Sequence, residues 1–214
     1  VSGAFSKALT GCVEYTLHTA AAKRGDVEKL CTDAKDYQFH SVCVNVSRIE
    51  LARTLLEDTD VKVTALIGWP LGATDTDVKR YEAEVAADLG AHEIDYVINL
   101  GCLKDGNTGS VLREMRDIVE AADERPVKAV IESHLLTRVE KIEVCKMAID
   151  SGVKFISTAT GYHTPSADLD DIALLKETMG NEVGIKVFAF LRDAATLQQY
   201  LEAGATRLGI LREG

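Results

Sequence analysis

Short apolar runs rich in valine and isoleucine alternate along the chain with longer stretches whose apolar residues recur at helical spacing. The runs fall at 13–16, 41–45, 61–67, 93–99, 127–132, 155–160, 182–190 and 207–211. Their length and β-branched content predict strands. Between the first two, 24–35 carries Val27, Leu30, Cys31 and Ala34 at i, i+3, i+4 and i+7, one face of an amphipathic helix. Further helices are predicted over 47–56, 75–89, 110–122, 137–149, 168–179 and 193–203. Ser47 and Thr137 stand at cap positions, and Glu140 completes a capping box with Thr137. Gly90, Gly152, Gly180 and Gly204 follow helical stretches, where a glycine ends a helix at least steric cost.

Strands separated by crossover helices predict a parallel sheet with right-handed connections. Eight such units close more naturally into a (β/α)8 TIM barrel than into an open sheet. The expected fold is therefore α/β, with residues 1–214 as a single barrel domain. The eighth helix is expected to be missing or truncated, because only Arg212, Glu213 and Gly214 follow the last run. Leu208 and Ile210 would then need cover from the N-terminal segment 2–10 or from a homodimer partner.

Composition narrows the partners. The net charge of −10 argues against nucleic acid and against anionic membranes. No run of eighteen apolar residues exists to span a bilayer, and the start lacks the blocks of a signal peptide. The five cysteines are scattered without a C-x-x-C pair, which fits a reducing, cytoplasmic setting better than a disulfide framework. The histidines at 18, 40, 92, 134 and 163 show no H-E-x-x-H spacing, so neither a metal nor another cofactor is expected. No G-x-G-x-x-G follows the first run, which weakens a dinucleotide site. A small-molecule ligand is the remaining expectation.

The local motifs then become specific. Ser41-Val42-Cys43-Val44-Asn45, Ile67-Gly68-Trp69-Pro70-Leu71-Gly72, the segment from Gly90 to Asn99, Leu103-Lys104-Asp105-Gly106 and Val130-Ile131-Glu132-Ser133 run in one register. Together they resemble the deoxyribose-phosphate aldolase family over nearly the whole chain. The resemblance implies a barrel of the class I aldolase type, which cleaves 2-deoxyribose 5-phosphate through a lysine imine without metal. The family's lysine strand reads roughly Phe-Val-Lys-Thr-Ser-Thr-Gly, and here that stretch is Phe155-Ile156-Ser157-Thr158-Ala159-Thr160-Gly161. The imine lysine thus maps onto Ser157. Lys154 precedes it by three residues, on the opposite strand face, and is no substitute.

The resemblance carries other positions across one by one. Asp95 matches the acidic residue of the fourth strand, Lys186 the second active-site lysine, and Cys43 and Lys128 pocket-side positions. Glu14 stands where the family usually has Asp. The family's Gly-Gly turn, whose amides approach the phosphate, is Ala189-Phe190 here, and its hydroxyl-bearing end of the eighth strand is Gly209-Ile210-Leu211. Tyr162 follows the lysine-strand glycine.

The residues can be weighed on their own chemistry. A serine hydroxyl reaches only a hemiacetal with a carbonyl and offers no electron sink for breaking a C–C bond. Ser157 also lacks a G-x-S-x-G elbow, so it is read as a small strand residue. Asp95 and Lys186 suit an acid–base pair or a substrate clamp, and equally an inherited buried ion pair. Lys128 and Glu132 alternate onto one face of the fifth strand and are expected to pair in a polar layer. Cys43 is expected to be a small buried residue rather than a nucleophile. His163, beside Tyr162 on a top-face loop, is the one histidine singled out as a candidate.

Three readings follow. The chain is an altered aldolase relative, inactive on 2-deoxyribose 5-phosphate and acting on another, non-phosphorylated small molecule. Alternatively it is a non-catalytic barrel used for binding or assembly, or a working aldolase that forms its imine on Lys186. Asp95, Ser157 and Lys186 are expected to line a solvent-filled mouth at the strand C-termini. An open polar cup there would favour an enzyme. A cup plugged by Tyr162, Phe188 and Phe190 would favour binding.

Overall fold

In a computed structural model the chain is described over residues 7–162, 168–189 and 194–212. A short helix, α1 (Lys7–Thr10), leads into β1 (Val13–Leu17). There follow α2 (Arg24–Asp36), β2 (Ser41–Asn45), α3 (Ile49–Leu55), β3 (Lys62–Ile67), α4 (Thr76–Asp88) and β4 (Glu93–Val97). The second half runs through α5 (Leu100–Lys104), α6 (Thr108–Ala121), β5 (Val127–Val130), α7 (Arg138–Ser151), β6 (Phe155–Ser157), α8 (Leu169–Met179), β7 (Gly184–Ala189), α9 (Ala194–Glu202) and β8 (Arg207–Leu211). The strands pair in sequence order, all parallel, and β8 returns to β1 to close a barrel.

The helices form for the reasons legible in the chain. Val27, Leu30, Cys31 and Ala34 are the buried face of α2. The hydroxyl of Thr137 accepts the amide of Glu140 at 3.3 Å, while the Glu140 carboxylate accepts the amide of Thr137 at 2.7 Å. Gly152 ends α7 at φ 87°, a left-handed conformation that a Cβ disfavours. Ser47 does not cap: Val46–Arg48 tightens into a 3-10 turn, and α3 begins only at Ile49 without a side-chain cap.

Each strand divides its side chains between two environments. Val42, Val44, Val63, Ala65, Ile94, Tyr96, Ala129, Ile156, Ile185, Val187 and Leu208 join the apolar layer between barrel and helices. The alternate positions point into the barrel, and many of these are charged or polar. Leu208 and Ile210 are buried in the chain itself, in the same apolar cluster as Leu9 of α1. The expected open patch there is therefore closed, and the reason for expecting a homodimer partner on it falls away.

Candidate functional site

A carboxylate facing the inside of a closed barrel needs a cation nearby, or it is stranded in a poorly solvated interior. Here three of each sign meet. Lys186 Nζ lies 2.5 Å from both Asp95 Oδ2 and Glu14 Oε2. Lys128 Nζ lies 2.9 Å from Asp95 Oδ1, 2.7 Å from Glu93 Oε2 and 3.3 Å from Glu14 Oε2. Arg207 approaches Glu14 Oε1 at 3.6 Å and Glu93 Oε1 at 3.5 Å, with its guanidinium 5.3 Å from the centre of the Phe155 ring. The formal charges of Glu14, Glu93 and Asp95 against Lys128, Lys186 and Arg207 cancel. His40 adds a contact at 2.9 Å to Glu93 and connects the network toward the N-terminal end of the barrel.

This balance sets the protonation states. Burial alone would raise the Glu14 carboxyl, but Lys128 and Lys186 outweigh it and bring it down to about 2. Glu93 is likewise held well below the ordinary carboxylate range, Lys128 overcoming burial. Burial would lower both lysines. Asp95, Glu14 and Glu93 reverse that for Lys128, and Asp95 and Glu14 reverse it for Lys186, so each stays above its ordinary value. Both lysines are therefore ammonium ions at neutral pH. Cys43 Sγ donates to Glu14 Oε2 at 3.4 Å, and burial pushes its thiol up to about 12. Cys43 is thus a buried thiol with no tendency to ionise. The ligand atoms of Glu14, Cys43 and Asp95 lie within 4.8 Å of one another, a spacing that suits a metal ion. Lys186 Nζ already touches all three, with the sulfur at 3.7 Å, so its charge fills the role a cation would take.

The expected open mouth is not what surrounds these groups. Lys186 and Asp95 are each 1% exposed. Ser157 is paired in register with Lys186, and it too is buried, its hydroxyl without a hydrogen-bond partner. Phe188, two residues beyond Lys186 on the same strand face, is 2% exposed. Its ring lies on Gly161: a methyl group there would come within 1.9 Å of Phe188 Cε1. Thr158 fixes the backbone beside it, its hydroxyl accepting the Phe188 amide at 3.1 Å. Phe188 thus fills the interior at the C-terminal ends of β6, β7 and β8.

The expected pairing of Lys128 with Glu132 does not occur. β5 stops at Val130, and Glu132 turns into the left-handed region at φ 45°. Its carboxylate instead accepts the amide of Thr160 at 2.7 Å, joining the segments that follow β5 and β6. Tyr162 is 56% exposed, and its ring stands 6.2 Å from that of His18. His18 in turn stands 5.9 Å from Trp69. His163 and Phe190 lie outside the described residues. Lys154 is exposed, as its position before β6 implied.

Reading the chain for motifs missed Glu93, Arg207 and His18, and took Glu14 only as a departure from a pattern. A signal was present. Glu14, Thr16 and His18 continue one strand face, as do Glu93 and Asp95, and a charged residue on an inward face predicts a partner across the barrel.

Relatives agree with this architecture. No family model matches the chain. A deoxyribose-phosphate aldolase from Carboxydothermus hydrogenoformans is 43% identical over 201 residues, covering 92% of this chain and 88% of the relative. One from Streptococcus pneumoniae strain P1031 is 43% identical over 197 residues, covering 92% and 90%. The chain belongs to the deoxyribose-phosphate aldolase family. A tetrameric deoxyribose phosphate aldolase from Aeropyrum pernix superposes with a TM-score of 0.87 at 26% identity, covering 94% of this chain and 86% of that one. An aldolase designated QR15 gives 0.90 at 28% identity, covering 94% and 90%. Family membership thus accounts for the barrel and for the order of its motifs. What the site does is decided by the residues within it.

Proposed function

We propose that this member of the deoxyribose-phosphate aldolase family does not cleave 2-deoxyribose 5-phosphate through a lysine imine and takes a non-phosphorylated small molecule instead. One observation carries the reading. The amine on the register partner of Ser157, that of Lys186, is buried and bonded to Glu14 and Asp95 at 2.5 Å each. Imine formation needs a neutral, accessible amine, and two carboxylates hold this one charged. Lys128 is bound the same way by Asp95 and Glu93. Ser157 stands at the position where the family pattern has its imine lysine, and a hydroxyl cannot replace that amine. Asp95 and Lys186 remain as candidate acid–base groups, with Cys43 and Lys128 beside them. The bulk of Phe188 on Gly161 supports the loss of the phosphate grip, because it takes up space at the strand ends.

A second reading, a barrel that binds without catalysis, is favoured by the same ring: Phe188 fills the cup that an enzyme would leave open. Borohydride trapping tests the main reading. The protein is incubated with acetaldehyde, 2-deoxyribose or its 5-phosphate, reduced, and mapped by peptide mass. Labelling of Lys186 or Lys128 is expected to run no faster than that of surface lysines. Saturable labelling of Lys186 would restore an ordinary imine aldolase.

A further inference from the structure

Among the buried polar atoms without a hydrogen-bond partner, Thr16 Oγ1, His18 Nε2, Trp69 Nε1 and Ser157 Oγ lie toward the C-terminal end of the barrel. Thr16 and Ser157 are both 1% exposed and lie on inward strand faces. His18 continues the inward face of β1 just past its end, and Trp69 follows β3. The rings of Trp69, His18 and Tyr162 form a row, 5.9 Å and 6.2 Å apart at tilts of 42° and 54°. Tyr162 comes from the segment that follows β6, the strand that carries Ser157. Aromatic faces and unmatched polar atoms thus converge on one end of the barrel. Buried polar groups in folded proteins are normally satisfied, so a group of unmatched ones points to a ligand that satisfies them.

The charges inside the barrel bear on the class of ligand. Among the described residues, the inward cations Lys128, Lys186 and Arg207 are all engaged by Glu14, Glu93 and Asp95. Burial also lowers the His18 pKa, which keeps the ring neutral. An anionic group placed against these three cations would lose hydration without gaining one that is not already paired. A hydroxyl both donates and accepts, so it matches the indole N–H, which only donates, and either nitrogen of a neutral imidazole. A phosphate or carboxylate only accepts.

We infer that Trp69, His18 and Tyr162 form the wall of a binding site for an uncharged, polyhydroxylated small molecule such as a free aldose or polyol. Its hydroxyls bond to His18 Nε2 and Trp69 Nε1, and its C–H face lies on the rings. This inference rests on the reading that the chain does not take a phosphate ester, and it names the side chains that make the choice.

Trp69 is the only tryptophan of the chain, so intrinsic fluorescence reports on the site directly. The full chain is titrated with 2-deoxyribose, ribose, 2-deoxyribose 5-phosphate and propionaldehyde, the last as an uncharged probe without hydroxyls. Saturable fluorescence changes are expected with at least one of the two free sugars, with the phosphate ester and the aldehyde weaker by about tenfold or more, the equivalent of one lost hydrogen bond. His18→Leu and the milder His18→Gln are each expected to weaken sugar binding by about tenfold while the thermal midpoint stays close to that of the parent. Trp69→Phe, followed by calorimetry, is expected to do the same. Tighter binding of the phosphate ester would sink this inference and the proposed function together. Sugar binding that ignores the His18 and Trp69 substitutions would sink the site alone. Failure of both free sugars to bind would overturn the ligand class.

Discussion

Lys186 Nζ sits between Asp95 Oδ2 and Glu14 Oε2, 2.5 Å from each, inside a barrel interior that leaves it 1% exposed. One ammonium therefore compensates two carboxylates from β4 and β1. Removing it leaves both to repel each other, with Lys128 and the more distant Arg207 to answer them. Lys186→Met is expected to cost about 3–5 kcal/mol of folding stability, the range for breaking a buried pair. Urea denaturation measures this. Adding Glu14→Gln to the same chain is expected to recover part of the loss, because one stranded charge is removed. Equal losses in the single and double variants would show that the network is not coupled as its geometry implies.

Acid should dismantle the same network from the carboxylate side. Glu14 titrates at about 2 in the fold against 4.5 ordinarily. Because its folded value is depressed, its contribution is fully present above pH 4.5 and is lost as the pH falls toward 2. The size is on the order of 3 kcal/mol. Glu93 shifts in the same direction and adds to the slope. Urea midpoints measured from pH 6 down to about pH 2 should fall steeply across this window. Glu14→Gln should be less stable at neutral pH yet show a shallower fall. A parallel pair of curves would contradict this assignment.

Gly161 and Phe188 should behave as one packing unit. Gly161 has φ 75°, and a methyl on it would lie 1.9 Å from Phe188 Cε1. Gly161→Ala is expected to destabilise by at least about 1–2 kcal/mol from the backbone term alone, with the clash in addition. Phe188→Ala should cost about 3–5 kcal/mol as a cavity. On that background Gly161→Ala should cost much less, since only the backbone term remains. Strict additivity in this double-mutant cycle would mean that the two side-chain positions do not touch.

Ser157→Lys alone is not expected to restore cleavage of 2-deoxyribose 5-phosphate. The register places position 157 beside Lys186, so an introduced amine meets a neighbouring ammonium and loses its proton more readily. It is therefore expected to trap acetaldehyde under borohydride. Turnover of the phosphate ester should still stay about 100-fold or more below that of a working family member, because misplaced substrate forfeits that much rate. Robust cleavage by the single variant would show that the room taken by Phe188 does not matter.

The strand and helix order was legible because burial on one face leaves a period of two in strands and 3.6 in helices. The run at 41–45 became β2 and the one at 207–211 became β8 without change. The ends were less exact. The run at 127–132 lost its last two residues where Glu132 turned left-handed, its carboxylate accepting the amide of Thr160, a residue far along the chain.

The sequence by itself determined the closed parallel barrel, the register of the family motifs and the identity of Asp95, Ser157, Lys128 and Lys186, because each of these rests on neighbours along the chain. Only the tertiary structure decided what those residues face. Glu14, Glu93 and Arg207 come from the first, fourth and eighth strands, and together with Asp95 their charges cancel those of Lys128 and Lys186 only after the barrel closes. Closure also turned an expected wet mouth into a buried ion network, and set the ring of His18 between those of Trp69 and Tyr162. The physical reason is range: hydrophobic periodicity acts between residues a few positions apart, whereas charge balance and hydrogen-bond satisfaction are settled among side chains that only the fold brings together.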